Sequence, residues 1–359
     1  MKRKLYLMKL EGVNIMDNKI NLKDLNDIQK VWLSDLAYVD ITEEGYKKMF
    51  KEGITIFELR EYAKNPSLPV CGDLLIGTKN FNFIVGKVLK NDSFPSKLDI
   101  VNTLIENGLG SIKIVHGSDY PTIYRSGFQA LTFEDSFGNV GISFKGSDIV
   151  ASSSTVREWL QSNILEYFVD DSPQAREAVK YFLEHKTDDK DNYIYGHSLG
   201  GNLVSHVYLN CYKDIKQAFS INGTPINQKL INTEEKIKAF NDKEKFSFNI
   251  VCGDVIGQLK SCEVYKKNVN YIKNNNKMIQ SFLSAHMIQA SAFDENGNFI
   301  KISEGQMLDE INFASIRMIN ISRFTREKMN NFNFRLSKKT KYKAIIKDEQ
   351  LDYNSHKTK

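Results

Sequence analysis

Ser198 lies at the centre of the stretch Gly196-His197-Ser198-Leu199-Gly200, whose residue types suit a nucleophilic site. An apolar run typical of a strand precedes it, and residues 202–209 have the apolar face of a helix. Gly-x-Ser-x-Gly between a strand and a helix is the pattern of a nucleophile elbow, in which a strained turn exposes the serine hydroxyl. The helix directs N–H groups and its positive dipole end toward that hydroxyl. The alternative is a glycine-rich turn without chemistry.

A serine nucleophile needs a base, and the base needs a carboxylate that orients it. In this type of fold the chain order is serine, acid, histidine. Asp254 is the candidate acid because it follows a predicted strand. Only His286 and His356 come after it, and His286 lies in a mostly apolar segment whereas His356 lies in a polar tail. The sequence therefore predicts a catalytic Ser198, Asp254 and His286. Alternatively, Asp254 caps a turn and His286 is a histidine at the edge of the core.

The oxyanion of a tetrahedral intermediate needs two hydrogen-bond donors. We expect one from the backbone N–H of Leu199, directly after the nucleophile. The second is expected from the Gly146-Ser147 loop, where Gly146 permits close approach of the backbone and Ser147 offers its N–H. This chemistry needs no metal or cofactor, and the four cysteines lack the spacing of a zinc site or of a disulfide framework.

The elements that position these residues alternate between strand and helix from residue 128 onward. Predicted strands cover 128–134, 140–145, 193–195, 217–221 and 246–252, and predicted helices cover 173–184, 202–209, 232–240 and about 263–283. Such alternation predicts an α/β fold with a mostly parallel sheet and helices on both faces. Because ligands bind at the carboxyl ends of parallel strands, Ser198 and Asp254 are expected at the same edge.

The segments on either side of this core have different compositions. We expect a flexible or wrongly assigned start at 1–16, a mainly helical part at 17–115 that packs on the core, and a catalytic core at 116–300. C-terminal helices are expected at 301–335 and a basic tail at 336–359. Lysines and one arginine without acidic residues occupy 335–347, which suits contact with anionic lipid or a partner, or a solvated tail.

Composition narrows the class of protein. The chain has 359 residues, of which 26% are charged and 41% hydrophobic, as in ordinary globular proteins. A net charge of +5, without a concentrated patch in the core, argues against nucleic acid as a partner. The sequence has no run of about 18 apolar residues, so no transmembrane helix is expected. The short basic start lacks a cleavage site, which predicts a cytoplasmic protein or secretion without a cleavable signal.

Several segments together resemble the class 3 (fungal-lipase-like) lipases, with a closer likeness to their bacterial lipase-like relatives. These are residues 196–201, 143–147, 155–160, 223–225 and 254–259, within a likeness that covers about 126–290 and, more faintly, 33–38. The resemblance implies an α/β-hydrolase fold, hydrolysis of carboxyl esters, and Ser198, Asp254 and His286 as the triad. Lys145 stands where that family usually has arginine, and the interval from Asp254 to His286 is shorter.

Residues 148–167 occupy the place of a lid in the resembling family. Trp159, Leu160 and Ile164 would form its apolar face, although core packing explains them equally well.

Three functional hypotheses follow. The leading one is a serine hydrolase that cleaves carboxyl esters of lipids through an acyl-enzyme. The second is a phospholipase, acting at anionic membranes through the basic tail or as a secreted effector. The third is a binding module that keeps the hydrolase scaffold without turnover.

Overall fold

The computed structural model describes residues 19–39, 53–63, 97–119, 122, 126–146, 172–254, 257, 268–275 and 285–306. The predictions for residues 1–16, the lid, the C-terminal helices after residue 306 and the basic tail lie outside these ranges.

A nine-stranded sheet forms the centre of the described fold, and its strands lie side by side in chain order from β1 to β9. The strands are β1 (Ile54–Thr55), β2 (Lys113–Gly117), β3 (Ala130–Glu134), β4 (Val140–Phe144), β5 (Asn192–His197), β6 (Gln217–Ile221), β7 (Phe246–Val251), β8 (Val269–Ile272) and β9 (Lys301–Ile302). The central strands β4 to β8 are parallel, while β1 to β4 and the β8–β9 pair are antiparallel. The predicted α/β fold with a mostly parallel core is confirmed, and it is consistent with an α/β-hydrolase.

Within the described residues the α-helices are α1 (Asp27–Ser34), α2 (Ile56–Ala63), α3 (Lys97–Glu106), α4 (Pro173–His185), α5 (Leu199–Cys211) and α6 (Glu234–Asn241). Local sequence explains several of their starts. Asn26 and Gln29 form a reciprocal capping box at the start of α1. Ser172 caps α4 and Pro173 occupies its first turn, as the sequence predicts.

The two faces of the sheet are covered by different parts of the chain. Alternate side chains of a strand point to opposite faces, so Tyr193 and Tyr195 of β5 pack in one core and Ile194 packs in the other. The first core contains apolar residues of α1, α2 and α3, and the second contains those of α4, α5 and α6. The amino-terminal helices thus close the face that the later helices leave open.

The start of helix α1 and the segment that follows the helix are both fastened to distant parts of the chain. The N–H of Ile28 donates to the carbonyl of Gly297 at 2.9 Å, and the N–H of Phe299 donates to the Asp27 carboxylate at 2.9 Å. Beyond α1, a short 3-10 helix (Leu36–Val39) follows, in which the N–H of Ala37 donates to Ser143 Oγ of β4 at 3.2 Å. These bonds fix the segment after α1 beside the carboxyl end of β4.

The predicted helix over about 263–283 is wrong where the structure describes that stretch. Val269–Ile272 form β8, which pairs in parallel with β7. A β-branched or aromatic residue at three of these four positions favours a pleated strand. The edge of β7 supplies the backbone partners, and this tertiary pairing determines the conformation of the stretch.

Candidate active site

Ser198 occupies a strained turn between β5 and α5. Its backbone has φ 59° and ψ −126°, a conformation that L-residues rarely adopt. Its N–H donates to the carbonyl of Ile221 on the neighbouring strand β6 at 3.1 Å, which holds the turn in place. Although Ser198 is the N-cap of α5, its side chain makes no capping bond to that helix. The hydroxyl is therefore directed at other groups.

The turn is possible only because glycines flank the serine. A Cβ on Gly200 would lie 2.0 Å from the carbonyl oxygen of Phe144, and a Cβ on Gly196 would lie 2.2 Å from the carbonyl oxygen of Gly200. Both obstacles are backbone atoms, which cannot rotate away. Helix α5 therefore starts in direct contact with the ends of β4 and β5.

Ser198, His286 and Asp254 form one hydrogen-bonded chain. His286 Nδ1 lies 2.8 Å from Asp254 Oδ1, and His286 Nε2 lies 2.8 Å from Ser198 Oγ. A carboxylate only accepts, so Nδ1 carries the proton and donates, and Nε2 of the neutral ring accepts from the serine hydroxyl. The exposed fractions are 4% for Ser198, 1% for His286 and 0% for Asp254. The three residues that the sequence predicts are thus brought together in a site nearly closed to water.

Asp254 and His286 reach the site from two different segments of the chain. Asp254 follows the carboxyl end of β7, and its second oxygen accepts from the N–H of Gly257 at 2.8 Å. That bond fixes the carboxylate and leaves Oδ1 for the imidazole. His286 lies just before a short 3-10 helix (Ile288–Ala290), in the chain between β8 and β9.

The carbonyl oxygen of His286 is held by two side chains. His197 Nε2 donates to it at 2.8 Å, and Asn222 Nδ2 donates to it at 2.8 Å. Asn222 follows β6 with a positive φ of 50°, and its Oδ1 accepts from the N–H of Val251 at 2.9 Å. Two donors use both lone pairs of the oxygen, so the backbone of His286 is fixed from two directions.

His197 has a carboxylate partner on its other ring nitrogen. Its Nδ1 lies 3.0 Å from Asp35 Oδ1, and both side chains are buried. Burial lowers the pKa of His197, but the charge and hydrogen bond of Asp35, the carbonyl of His286 and the charge of Asp254 outweigh it, so the pKa is raised. Asp35 comes from the turn after α1 and brings a charge from the amino-terminal segment to the site.

The loop after β4 lies against the nucleophile. A Cβ on Gly146 would lie 3.1 Å from Ser198 Cβ and 2.2 Å from the hydroxyl of Tyr38, so only glycine fits there. Lys145 is buried, with its ammonium group 5.8 Å from the centre of the Tyr38 ring. Leu199 is the first residue of α5, and the first N–H groups of a helix have no acceptor within the helix. Ser147 and the predicted lid residues Trp159, Leu160 and Ile164 lie outside the described residues.

In the part of the chain that the structure describes, no group of three or more His, Cys, Asp or Glu side chains is arranged to hold a metal ion. Nor does that part contain a helix with the length and apolar character needed to cross a bilayer.

The sequence profile of the Mbeg1-like family matches residues 120–340. The chain belongs to the Mbeg1-like family. This family is lipase-like and related to the α/β-hydrolases. The Mbeg1-like region contains Ser198, Asp254 and His286, whereas Asp35 and Tyr38 precede it. No curated protein matches the chain.

Sequence reasoning missed two residues that touch the site of this Mbeg1-like chain, Asp35 and Asn222. Asn222 begins the segment Asn222-Gly223-Thr224-Pro225 directly after β6. Its position could have indicated a site residue, because polar residues at the carboxyl ends of parallel strands often line a ligand site. Asp35 interrupts the apolar pattern Leu33–Ala37, and an acidic residue between buried positions was the only hint of a charged partner.

Proposed function

We propose that this Mbeg1-like protein is a serine hydrolase that cleaves carboxyl esters of lipids, as the resemblance to class 3 lipases implies. The observation that supports it most is the unbroken chain of 2.8 Å contacts from Ser198 Oγ through the His286 ring to Asp254. A strained serine at a strand-to-helix turn is the second support, because strain of this kind gathers at functional positions.

In the proposed mechanism Ser198 Oγ attacks the ester carbonyl carbon while its proton moves to His286 Nε2. Asp254 stabilises the resulting imidazolium and keeps Nδ1–H directed at its own oxygen. The oxyanion accepts from the N–H of Leu199 and from the loop that begins at Gly146, with Ser147 as the expected second donor. The tetrahedral intermediate then expels the alcohol, which takes the proton from His286, and an acyl-enzyme is left.

The second half of the reaction uses the same groups with water as the nucleophile. His286 accepts a proton from the water as its oxygen attacks the acyl carbon. The intermediate breaks down to free acid, and the proton returns to Ser198 Oγ. None of these steps needs a metal or cofactor.

A fluorophosphonate probe tests the nucleophile directly. We expect the wild-type protein to be labelled on Ser198, and Ser198→Ala to remain unlabelled. Ser205→Ala is a matched control, because Ser205 is a buried serine of α5 whose Oγ donates to the Gly201 carbonyl. It should label like wild type. Wild-type protein that is folded by circular dichroism yet unlabelled would instead support a non-catalytic binding scaffold.

The substrate class needs a separate measurement. We expect hydrolysis of p-nitrophenyl esters and of emulsified acylglycerols, as the resemblance to class 3 lipases implies. Anionic phospholipid vesicles added to the same assay test the phospholipase alternative and the proposed role of the basic tail. Cleavage confined to short water-soluble esters would contradict the lipid assignment and leave an esterase.

A further inference from the structure

The buried pair His197 and Asp35 lies directly behind the proposed base. His197 links Asp35 to His286. Its Nε2 donates to the carbonyl of His286 at 2.8 Å, and its Nδ1 lies 3.0 Å from Asp35 Oδ1. The two imidazole rings are 5.1 Å apart, centre to centre. Asp35 lies outside the matched family region, so this pair joins the amino-terminal segment to the proposed triad.

The hydrogen-bond partners determine where the protons are. A carbonyl oxygen only accepts, so His197 Nε2 carries a proton. An ionised Asp35 also only accepts, so Nδ1 carries a proton as well and the ring is an imidazolium. A buried charge of this kind persists only when it is paired and hydrogen-bonded, and both conditions are met here.

We propose that His197, kept as an imidazolium by Asp35, is a positioning residue that clamps the backbone of His286 and thereby holds its ring in place as the base. This proposal rests on the proposed function for its catalytic part. The clamp supplies a charge-assisted donor to the His286 carbonyl, which is stronger than a neutral one. It also places the two rings 5.1 Å apart, centre to centre, so that the clamp lies directly beside the base.

The charged surroundings of His197 support this assignment. Asp35 faces it from the turn after α1, and Asp254 adds negative charge from the end of β7. His286 faces it from the other side. The Tyr38 ring lies 6.2 Å away, centre to centre, and Lys145 lies over the Tyr38 ring. The charged form is thus balanced by two carboxylates.

The protonation state can be measured without any assay of hydrolysis. In the full-length protein labelled with 15N-histidine, two-dimensional NMR reports whether one or both ring nitrogens carry a proton, and His197→Gln identifies the signals. We expect both His197 nitrogens to remain protonated at pH 7, and Asp35→Asn to leave a neutral ring with a proton on Nε2 only. A neutral His197 ring in wild type at pH 6 would overturn the proposal, whatever the activity.

Kinetics then test the positioning role. We expect Asp35→Asn to lower kcat for a p-nitrophenyl ester by roughly ten- to a hundredfold, the range for loss of a charged hydrogen bond, with KM little changed. Asp24→Asn is the matched control, since Asp24 is an exposed acid in the same amino-terminal segment, and should match wild type.

A double variant separates positioning from folding. His197→Gln alone leaves Asp35 buried without its counter-charge, and combining it with Asp35→Asn removes that charge. We expect the double variant to recover thermal stability relative to His197→Gln but not kcat. If Asp35→Asn folds and keeps the wild-type kcat, the positioning role is refuted. If wild type neither labels nor hydrolyses, the proposed function fails and the NMR result alone decides the charged clamp.

Discussion

Replacing Ser198 by glycine should give a more stable protein than replacing it by alanine, which reverses the usual order. At φ 59° and ψ −126°, residue 198 lies outside even the left-handed helical region that some L-residues visit. A conformation of this kind costs an L-residue about 1–3 kcal/mol, and glycine avoids most of that cost. Both variants lose the hydroxyl and its hydrogen bond to His286, so this loss cancels in the comparison.

The expected size follows from two opposing terms. Relief of strain favours glycine by about 2 kcal/mol, taken as the middle of that range. The greater entropy of glycine in the unfolded chain opposes it by roughly 0.5–1 kcal/mol. The difference of about 1 kcal/mol corresponds to a melting temperature about 1–2 °C higher for Ser198→Gly than for Ser198→Ala in a chain of this size, by extrapolation from smaller domains. Calorimetry or replicate thermal melts followed by circular dichroism resolve it.

The same pair of substitutions at Ser205 is the control. Ser205 lies inside α5, is fully buried, and donates to the carbonyl of Gly201. There the ordinary order applies, and glycine should be less stable than alanine by about 1 kcal/mol. Suppose that Ser198→Gly is no more stable than Ser198→Ala while the two Ser205 variants follow the ordinary order. The backbone conformation of residue 198 would then carry no measurable cost in the free energy of folding.

Three further results are expected. Gly200→Ala should lower the free energy of unfolding by about 3 kcal/mol or more, because its Cβ would lie 2.0 Å from the Phe144 carbonyl oxygen. The same variant should lose fluorophosphonate labelling. A variant that is stable and labelled would contradict this expectation. The stability gap between wild type and Asp35→Asn should be at its full size near pH 6 and shrink as the pH rises above that range. The folded pKa of His197 is raised, so its contribution is full below its unfolded value of about 6.5 and lost as pH rises through the folded value; a gap that does not change with pH would contradict it. Burial raises the pKa of Cys211 to about 11, so native protein at pH 8 should react with iodoacetamide at Cys211 at least about a hundredfold more slowly than unfolded protein, measured by peptide mass spectrometry.

Residues beside the ends of parallel strands could be found from the sequence. Ser198 and Asp254 each follow a predicted strand, and the geometry of a parallel sheet brings such positions to one edge. His286 could be chosen because few histidines follow Asp254 in the chain. These three residues could be predicted because each prediction depended only on a short sequence pattern and on the order of residues along the chain.

The pair of His197 and Asp35 could not be found in that way. The two residues are 162 positions apart, and their contact depends on which face of the sheet α1 covers. Sequence patterns indicate that a helix has an apolar face but not which sheet face receives it. The strand β8 was missed for a similar reason, because its partner β7, rather than its own composition, determines its conformation.

The fastening of α1 to residues near 297 has a consequence for the order in which the protein matures. After Ser198 the ribosome adds 88 residues to reach His286, which takes about 4–18 s at typical rates of synthesis. The strands can pair in the order in which they emerge, since their spatial order equals their chain order. However, the hydrogen bond from Ile28 of α1 cannot form before Gly297 is made, and Ser198 has no base before His286 is made. The proposed hydrolase therefore stays inactive until residue 286 has been made, and the bond that fastens the start of α1 forms only after residue 297 follows.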